Sequence, residues 1–261
     1  MMVALIQMWL DWPVWLAAVS MTVFWLSIAA ALWWFFQRSP LAPFWGSRLG
    51  IVGPYFSSVG ILFSLSVGFM GADIWQRGER AQQAVLQEAS QLQLLSNLAH
   101  NLEPATQPLA QGVCTYTRAV VQEEWPLMLG HGRTAPSAEA ALDSILQAMV
   151  TPEFIRQMDG TLRREMLSAF QQIRQSRVNR LQLSGSHSHS GKWILVIFLG
   201  FMTQIAISLV QLDTPRGQAI TLTVFSIAMS VTLILLAGMD QPFTEPFAVP
   251  NTPIAELARC P

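Results

Sequence analysis

Four stretches of this chain are apolar and long enough to cross a lipid bilayer, and none of them contains Asp, Glu, Lys, Arg or His. They run from about Pro13 to Phe36, Ile51 to Ala72, Trp193 to Leu212 and Gly217 to Met239. A helix needs about 20 predominantly apolar residues to cross the hydrocarbon core. No water is present there to satisfy an open backbone, so only helices and closed barrels can span it. The pattern predicts an all-α membrane protein with two spans, a large insert and two further spans.

The charges show where the chain meets water. Only 12% of the 261 residues are charged, against roughly 25% in a soluble domain. Between Asp73 and Lys192 lie 11 of the 15 basic and 11 of the 16 acidic residues. The expected organisation is therefore two spans in residues 1–72, a helical bundle in 73–192, two spans in 193–239 and a proline-rich tail in 240–261. A net charge of −1 leaves no basic footprint for nucleic acid. Span one has no basic residue before it and an apolar run too long for a signal peptide, so it reads as a retained span. Cys114 and Cys260 are too few for a disulfide-dense secreted module and lack metal-ligand spacing, so they read as inert thiols.

Orientation follows from basic residues near the span ends. Arg77, Arg80, Arg174, Arg177, Arg180, Lys192 and Arg259 lie on the insert side; Arg38, Arg48 and Arg216 lie on the other. The bias of seven to three places the insert and both termini in the cytoplasm. Trp9, Trp12, Trp15, Trp75 and Trp193 are expected in one interfacial belt, and Trp33, Trp34 and Trp45 in the other.

The insert reads as helical. Ala81, Val85, Ala89, Leu92, Leu95, Ala99 and Leu102 recur every three or four residues, one face of a helix. Pro104 and Pro108 end it. A second helix is expected from Leu109 to Trp125, stopped by Pro126 and Gly130-His131-Gly132. A third is expected from Ser137, as N-cap, to Val150. A fourth opens at Thr151-Pro152-Glu153 and runs through Ile155, Met158, Leu162, Met166, Phe170 and Ile173 to Leu183. Unbroken, it would measure about 48 Å at 1.5 Å per residue. The first and fourth helices read as extensions of spans two and three in an antiparallel bundle. The insert has no phosphate loop, zinc motif or nucleophile elbow, so no enzyme, cofactor or metal is expected. Ser186-His187-Ser188-His189 reads as a linker rather than a metal site. Glu123-Glu124 reads as a solvated helix end rather than an acid pair.

Span two carries the most information. Gly53, Ser57, Gly60, Ser64, Gly68 and Gly71 step by three or four residues along one face. Such a face permits close helix packing or lines a narrow aqueous path. Phe56, Phe63 and Met70 repeat every seven residues, forming a bulky line that either constricts a pore or packs on lipid or a neighbouring helix. Span four has a weaker small face, Ala219, Thr223, Ser226, Ser230 and Ala237. Gln204, near mid-membrane in span three, suits an inter-helix hydrogen bond. The absence of ionisable groups at depth argues against proton-coupled transport and for a passive path or none.

Four motifs in order resemble the bacterial bestrophin-like membrane family. The first is Val67-Gly68-Phe69 with Trp75, followed by Ala81, Val85, Glu88-Ala89 and Leu92. The second is Tyr116 and Val120 with Glu124-Trp125-Pro126. The third is Arg177 with Arg180-Leu181, and the fourth is Met239-Asp240-Gln241-Pro242-Phe243. The resemblance runs from about Gly60 to Pro253. It implies a four-span subunit of a homo-oligomer, a pentamer by analogy, that passes small anions such as chloride across the bacterial inner membrane. It also implies a neck lined by apolar side chains of the second span. Carried over, the pore-lining candidates are Phe56, Phe63 and Met70, with Ser57, Gly60 and Ser64 as alternatives. The acidic calcium clasp of the animal channels has no counterpart here, so calcium gating is not expected. The alternative is a non-conducting membrane scaffold or sensor whose helical domain binds a protein partner. Its proline-rich tail (Pro242, Pro246, Pro250, Pro253) would then dock on the bundle or on that partner. Asp240-Gln241-Pro242-Phe243 would stop span four or help place the pore mouth.

Overall fold

The computed structural model of the chain describes residues 12–40, 52–102, 106–131, 133–185 and 190–259. Trp9, Trp45, Arg48, Ile51, Pro104, Gly132, the Ser186–His189 run and Cys260 lie outside these residues. Every regular element among the described residues is helical, and four helices are apolar and long enough to cross a membrane. They are α1 (Val14–Arg38), α2 (Val52–Asn101), α8 (Ser190–Val210) and α9 (Pro215–Asp240). The helices between α2 and α8 are α3 (Gln107–Ala119), a π-turn (Val120–Glu124), α4 (Trp125–His131), α5 (Pro136–Met149), α6 (Pro152–Gln157) and α7 (Gly160–Ser184). The tail adds α10 (Thr252–Leu257). The chain divides into two compact units, Met1–Trp75 with His187–Asp240, and Gln76–Ser186 with Gln241–Pro261.

In the first unit α1, α8 and α9 pack on one another. Lipid tails are as apolar as leucine, so polar ties and close approach hold such helices together. Gln204 Nε2 donates to Ser226 Oγ at 2.8 Å, joining α8 to α9 in the inter-helix role its position suggested. Towards one end, Gln37 Nε2 donates to Gln218 Oε1 at 2.8 Å and Gln218 Nε2 donates to the Ser208 carbonyl at 2.9 Å. Trp33 Nε1 donates to the Pro215 carbonyl at 3.0 Å. Lys192, the only lysine of the chain, pairs with Asp73 at 2.6 Å and ties α8 to α2. Trp193 is fully buried with Met70, Met229 and Leu233, so it is a core residue and not part of an interfacial belt.

Gly200 has a steric reason. A Cβ there would lie 2.7 Å from Met229 Cε and 2.9 Å from Cη2 of the buried Trp25. Gly200→Leu is therefore expected to push α8 away from α1 and cost about 1–3 kcal/mol. A lower midpoint in detergent titration of the purified protein would report it.

In the second unit the face from Ala81 to Ala99 is buried, as its period predicts. Four local expectations need correction. Pro126 does not end the second helix. Proline lacks an N–H and crowds the carbonyl four residues back, and the helix answers by widening into a π-turn before it. The Trp125 N–H donates to the Val120 carbonyl, five residues back, and helix resumes to His131. Ser137 is not an N-cap: α5 starts at Pro136, and Ser137 Oγ donates to Glu123 instead.

The fourth helix is broken in two. Thr151 caps α6 as expected, accepting from the Phe154 N–H. Met158 then turns extended and sinks into the core, and Asp159 starts a new helix by accepting from the Thr161 N–H at 2.7 Å. A short carboxylate followed by glycine favours an N-cap over continued helix. Lastly, Cys114 is disulfide-bonded and not an inert thiol; separation along a sequence does not report approach in space. The tail docks on its own unit. Phe243 is buried edge-on against Trp125, ring centres 5.7 Å apart, and α10 packs on α3 through the buried Ile254.

Candidate functional site

Of the candidate pore residues, Phe63 and Met70 of the heptad line face the chain's own interior. Met70 is 2% exposed among Ile74, Trp193, Met229 and Leu233. Phe63 is half-buried against Phe225 of α9, ring centres 5.7 Å apart. Phe56, nearer the start of α2, is exposed. The small row differs. Ser57 and Ser64 are exposed and Gly60 is half-exposed. A Cβ added at Gly60 or Gly68 would meet nothing within 4 Å, whereas at Gly71 it would touch Leu236.

The open face of α2 also holds a row that sequence periodicity did not single out. Ile61, Leu65 and Phe69 step by four and are 60%, 52% and 72% exposed. At about 100° per residue they lie on the side of the helix opposite Phe63 and Met70, with the small row between. A signal for this was present. Met70, Ile74, Ala81, Val85 and Leu92 share one helical face, so the apolar face of the insert helix extends back into span two and marks its buried side.

In the second unit the motif residues converge on one buried cluster. Glu88 comes from α2, Tyr116 from α3, Glu124 from the π-turn, and Arg177 and Arg180 from α7. Arg180 Nε and Nη2 donate to Glu88 at 2.8 and 3.1 Å, and Nη2 also donates to Glu124 Oε1 at 2.9 Å. Arg177 holds Glu124 through Nε at 3.1 Å and Nη2 at 2.5 Å. The Tyr116 hydroxyl donates to Glu88 at 2.6 Å, and the Ala135 N–H donates to Glu124 at 3.3 Å. The Arg180 guanidinium sits 5.4 Å from the centre of the Trp125 ring, whose edge-on partner is the tail residue Phe243.

Two carboxylates and two guanidiniums cancel, which is the condition for burying them. Burial alone would raise the pKa of Glu124. The Arg177 hydrogen bond and the charges of Arg180 and Arg177 outweigh it and hold that carboxyl below its ordinary value. Burial would lower Arg180, but the charge and hydrogen bonds of Glu88 hold it above the ordinary arginine value. Burial, then the Glu88 charge, pushes Tyr116 well above the ordinary phenol value. The Glu123-Glu124 expectation is thus corrected for one residue: Glu123 is at the surface, Glu124 is buried and paired. The cluster clamps α2, α3, the π-turn and α7 together. No group of three His, Cys, Asp or Glu among the described residues is placed to hold a metal.

No curated protein matches the chain by sequence. Among solved structures it is similar to variants of a bacterial bestrophin homologue from Klebsiella pneumoniae. One matches with a TM-score of 0.68 at 12% identity, over 92% of this chain and 96% of the other. A second matches at 0.67 and 12%, over 93% and 98%. A third matches at 0.68 and 14%, over 93% and 96%. These show the fold. A family model described as the Bestrophin-like domain matches residues 23–254, so nearly the whole chain is covered, and the chain belongs to the bestrophin-like family.

Proposed function

We propose that the protein is a homo-oligomeric, passive ion channel, selective for anions such as chloride, whose path is lined by span two. The observation that carries this is the open face of α2. Across bilayer depth it presents only small and apolar side chains, no ionisable group, and no partner from its own chain at Gly60 or Gly68. Membership of the bestrophin-like family supports the same reading.

Within that proposal Ser57, Gly60 and Ser64 line the path, joined by Ile61, Leu65 and Phe69 as the apolar constriction. Phe56 stands near the mouth. Phe63 and Met70 support the lining from behind rather than forming it. Oligomerisation brings these faces around one axis; five copies is the number the family analogy gives. The insert and both termini lie in the cytoplasm of a bacterium, by the bias of basic residues, with the spans in the inner membrane. The scaffold alternative is weakened by the tail, which is engaged on its own domain through Phe243 and Ile254.

Purified protein in chloride-loaded liposomes is expected to release chloride when the membrane potential is clamped, faster than empty liposomes and faster than it releases sodium. Equal release from protein-containing and empty vesicles, with a known channel active in parallel, overturns the proposal.

A further inference from the structure

The helical unit contains a groove of about 440 Å³ between α2 and α7 that the clamp and the proposed path leave unused. Its polar lining is Arg80, Gln83 and Gln87 from α2 with Asn179 and Gln182 from α7. The volume is that of a small-molecule site, and the lining is rich in N–H donors: five on the guanidinium and two on each carboxamide.

The groove has no negative charge of its own. Between Arg80 and Asn101 the only acid of α2 is Glu88, which is buried and spent on Arg180. From Met166 to Gly185 helix α7 has no acid at all. Glu79 precedes Arg80 but is about 100° away around the helix and is not part of the lining. Two neighbours orient the donors. Arg80 Nη2 donates to Gln76 Oε1 at 3.1 Å, which steadies the guanidinium with one of its five N–H groups. Gln175 Nε2 donates to Asn179 Oδ1 at 3.0 Å, which turns the Asn179 NH2 the other way.

A cation beside clustered amides, free of carboxylates, suits an anion. A planar guanidinium fork suits a carboxylate or phosphate above a spherical halide. We propose that this groove binds the oxyanion of a small polar metabolite, a carboxylate or a phosphate, with Arg80 as anchor and the amides contacting the polar body. None of its lining residues is among those proposed to line the ion path, and all of them belong to the helical unit.

The test is calorimetric titration of the full chain in detergent, without an ion gradient, using sodium glutamate, inorganic phosphate, glycerol 3-phosphate and sodium chloride as probes. At least one oxyanion is expected to bind saturably and more tightly than chloride. Glutamate alone assigns a carboxylate. Inorganic phosphate assigns a free phosphate, and glycerol 3-phosphate alone assigns a phosphate monoester of a polar organic body. Arg80→Gln is expected to weaken binding about tenfold or more, Arg80→Lys less, and Arg174→Gln, an exposed charge outside the lining, not at all. These are surface positions, so the variants are expected to melt with the parent. No saturable binding of any oxyanion, or parental binding by a folded Arg80→Gln, overturns the proposal. A protein that binds as predicted yet passes no ions overturns only the channel proposal.

Discussion

Arg180→Ala is expected to unfold the helical unit or bring it close to unfolding. Arg180 is 0% exposed and balances two buried carboxylates at once. Its removal leaves Glu88 with only the Tyr116 hydroxyl, and leaves Glu124 with Arg177. Removing one partner from a buried ion cluster costs about 3–5 kcal/mol, out of about 5–15 kcal/mol for a typical domain. Limited proteolysis should cut the variant between Gln76 and Ser186 under conditions that leave the parent intact. A second variant isolates the cause. Glu88→Leu combined with Arg180→Leu removes one charge of each sign and keeps the Glu124–Arg177 pair. It should be more stable than Arg180→Leu alone, because the penalty arises from an uncompensated charge and not from the lost bonds. If the double variant is the less stable, the clamp works through its hydrogen bonds and the charge argument fails.

The same cluster sets an acid limit. Glu124 is held below its ordinary pKa in the folded state. The stability it contributes is therefore present above that ordinary value and is lost as the pH falls towards the folded one. Melting temperature should drop progressively below about pH 5. Arg177→Gln should flatten this acid limb, because the Arg177 hydrogen bond is the strongest single influence lowering that pKa.

Much of this was legible in the sequence, and the misses have physical reasons. The four spans were legible because lipid tolerates no ionisable residue, so composition alone marks them. The buried face from Ala81 to Ala99 was legible because packing imposes a helical period. Glu124 was not, because nothing local distinguishes it from its neighbour Glu123. Its burial comes from the π-turn before Pro126 and from arginines 53 and 56 residues away. The break at Asp159 was masked by an apolar period that continues across it, since Met158 is buried on either account. The clamp was visible only as motifs in the right order; that they meet is a property of the fold.

Span two shows how one period can admit two partners. Phe56, Phe63 and Met70 do form one line, but a heptad of bulky residues describes equally a pore wall and a packing seam. Helix continuity favours the seam, because α2 runs unbroken from Val52 to Asn101 and its buried positions Met70, Ile74, Ala81, Val85 and Leu92 share one face. This gives the channel proposal its sharpest test, a pair of neighbouring residues of which one is exposed and the other buried. Phe69→Ala removes an aromatic ring that is 72% exposed and meets none of the core, so folding should be kept while chloride conductance changes severalfold. Met70→Ala deletes a side chain that is 2% exposed between α2, α8 and α9. It should cost about 2–5 kcal/mol of stability and leave the conductance of the surviving folded protein near that of the parent. Single-channel recording with a parallel detergent-unfolding assay reads both. Should Met70→Ala change unitary conductance while Phe69→Ala leaves it untouched, the path lies on the heptad face after all. The subunits would then have to rearrange their own core to open it.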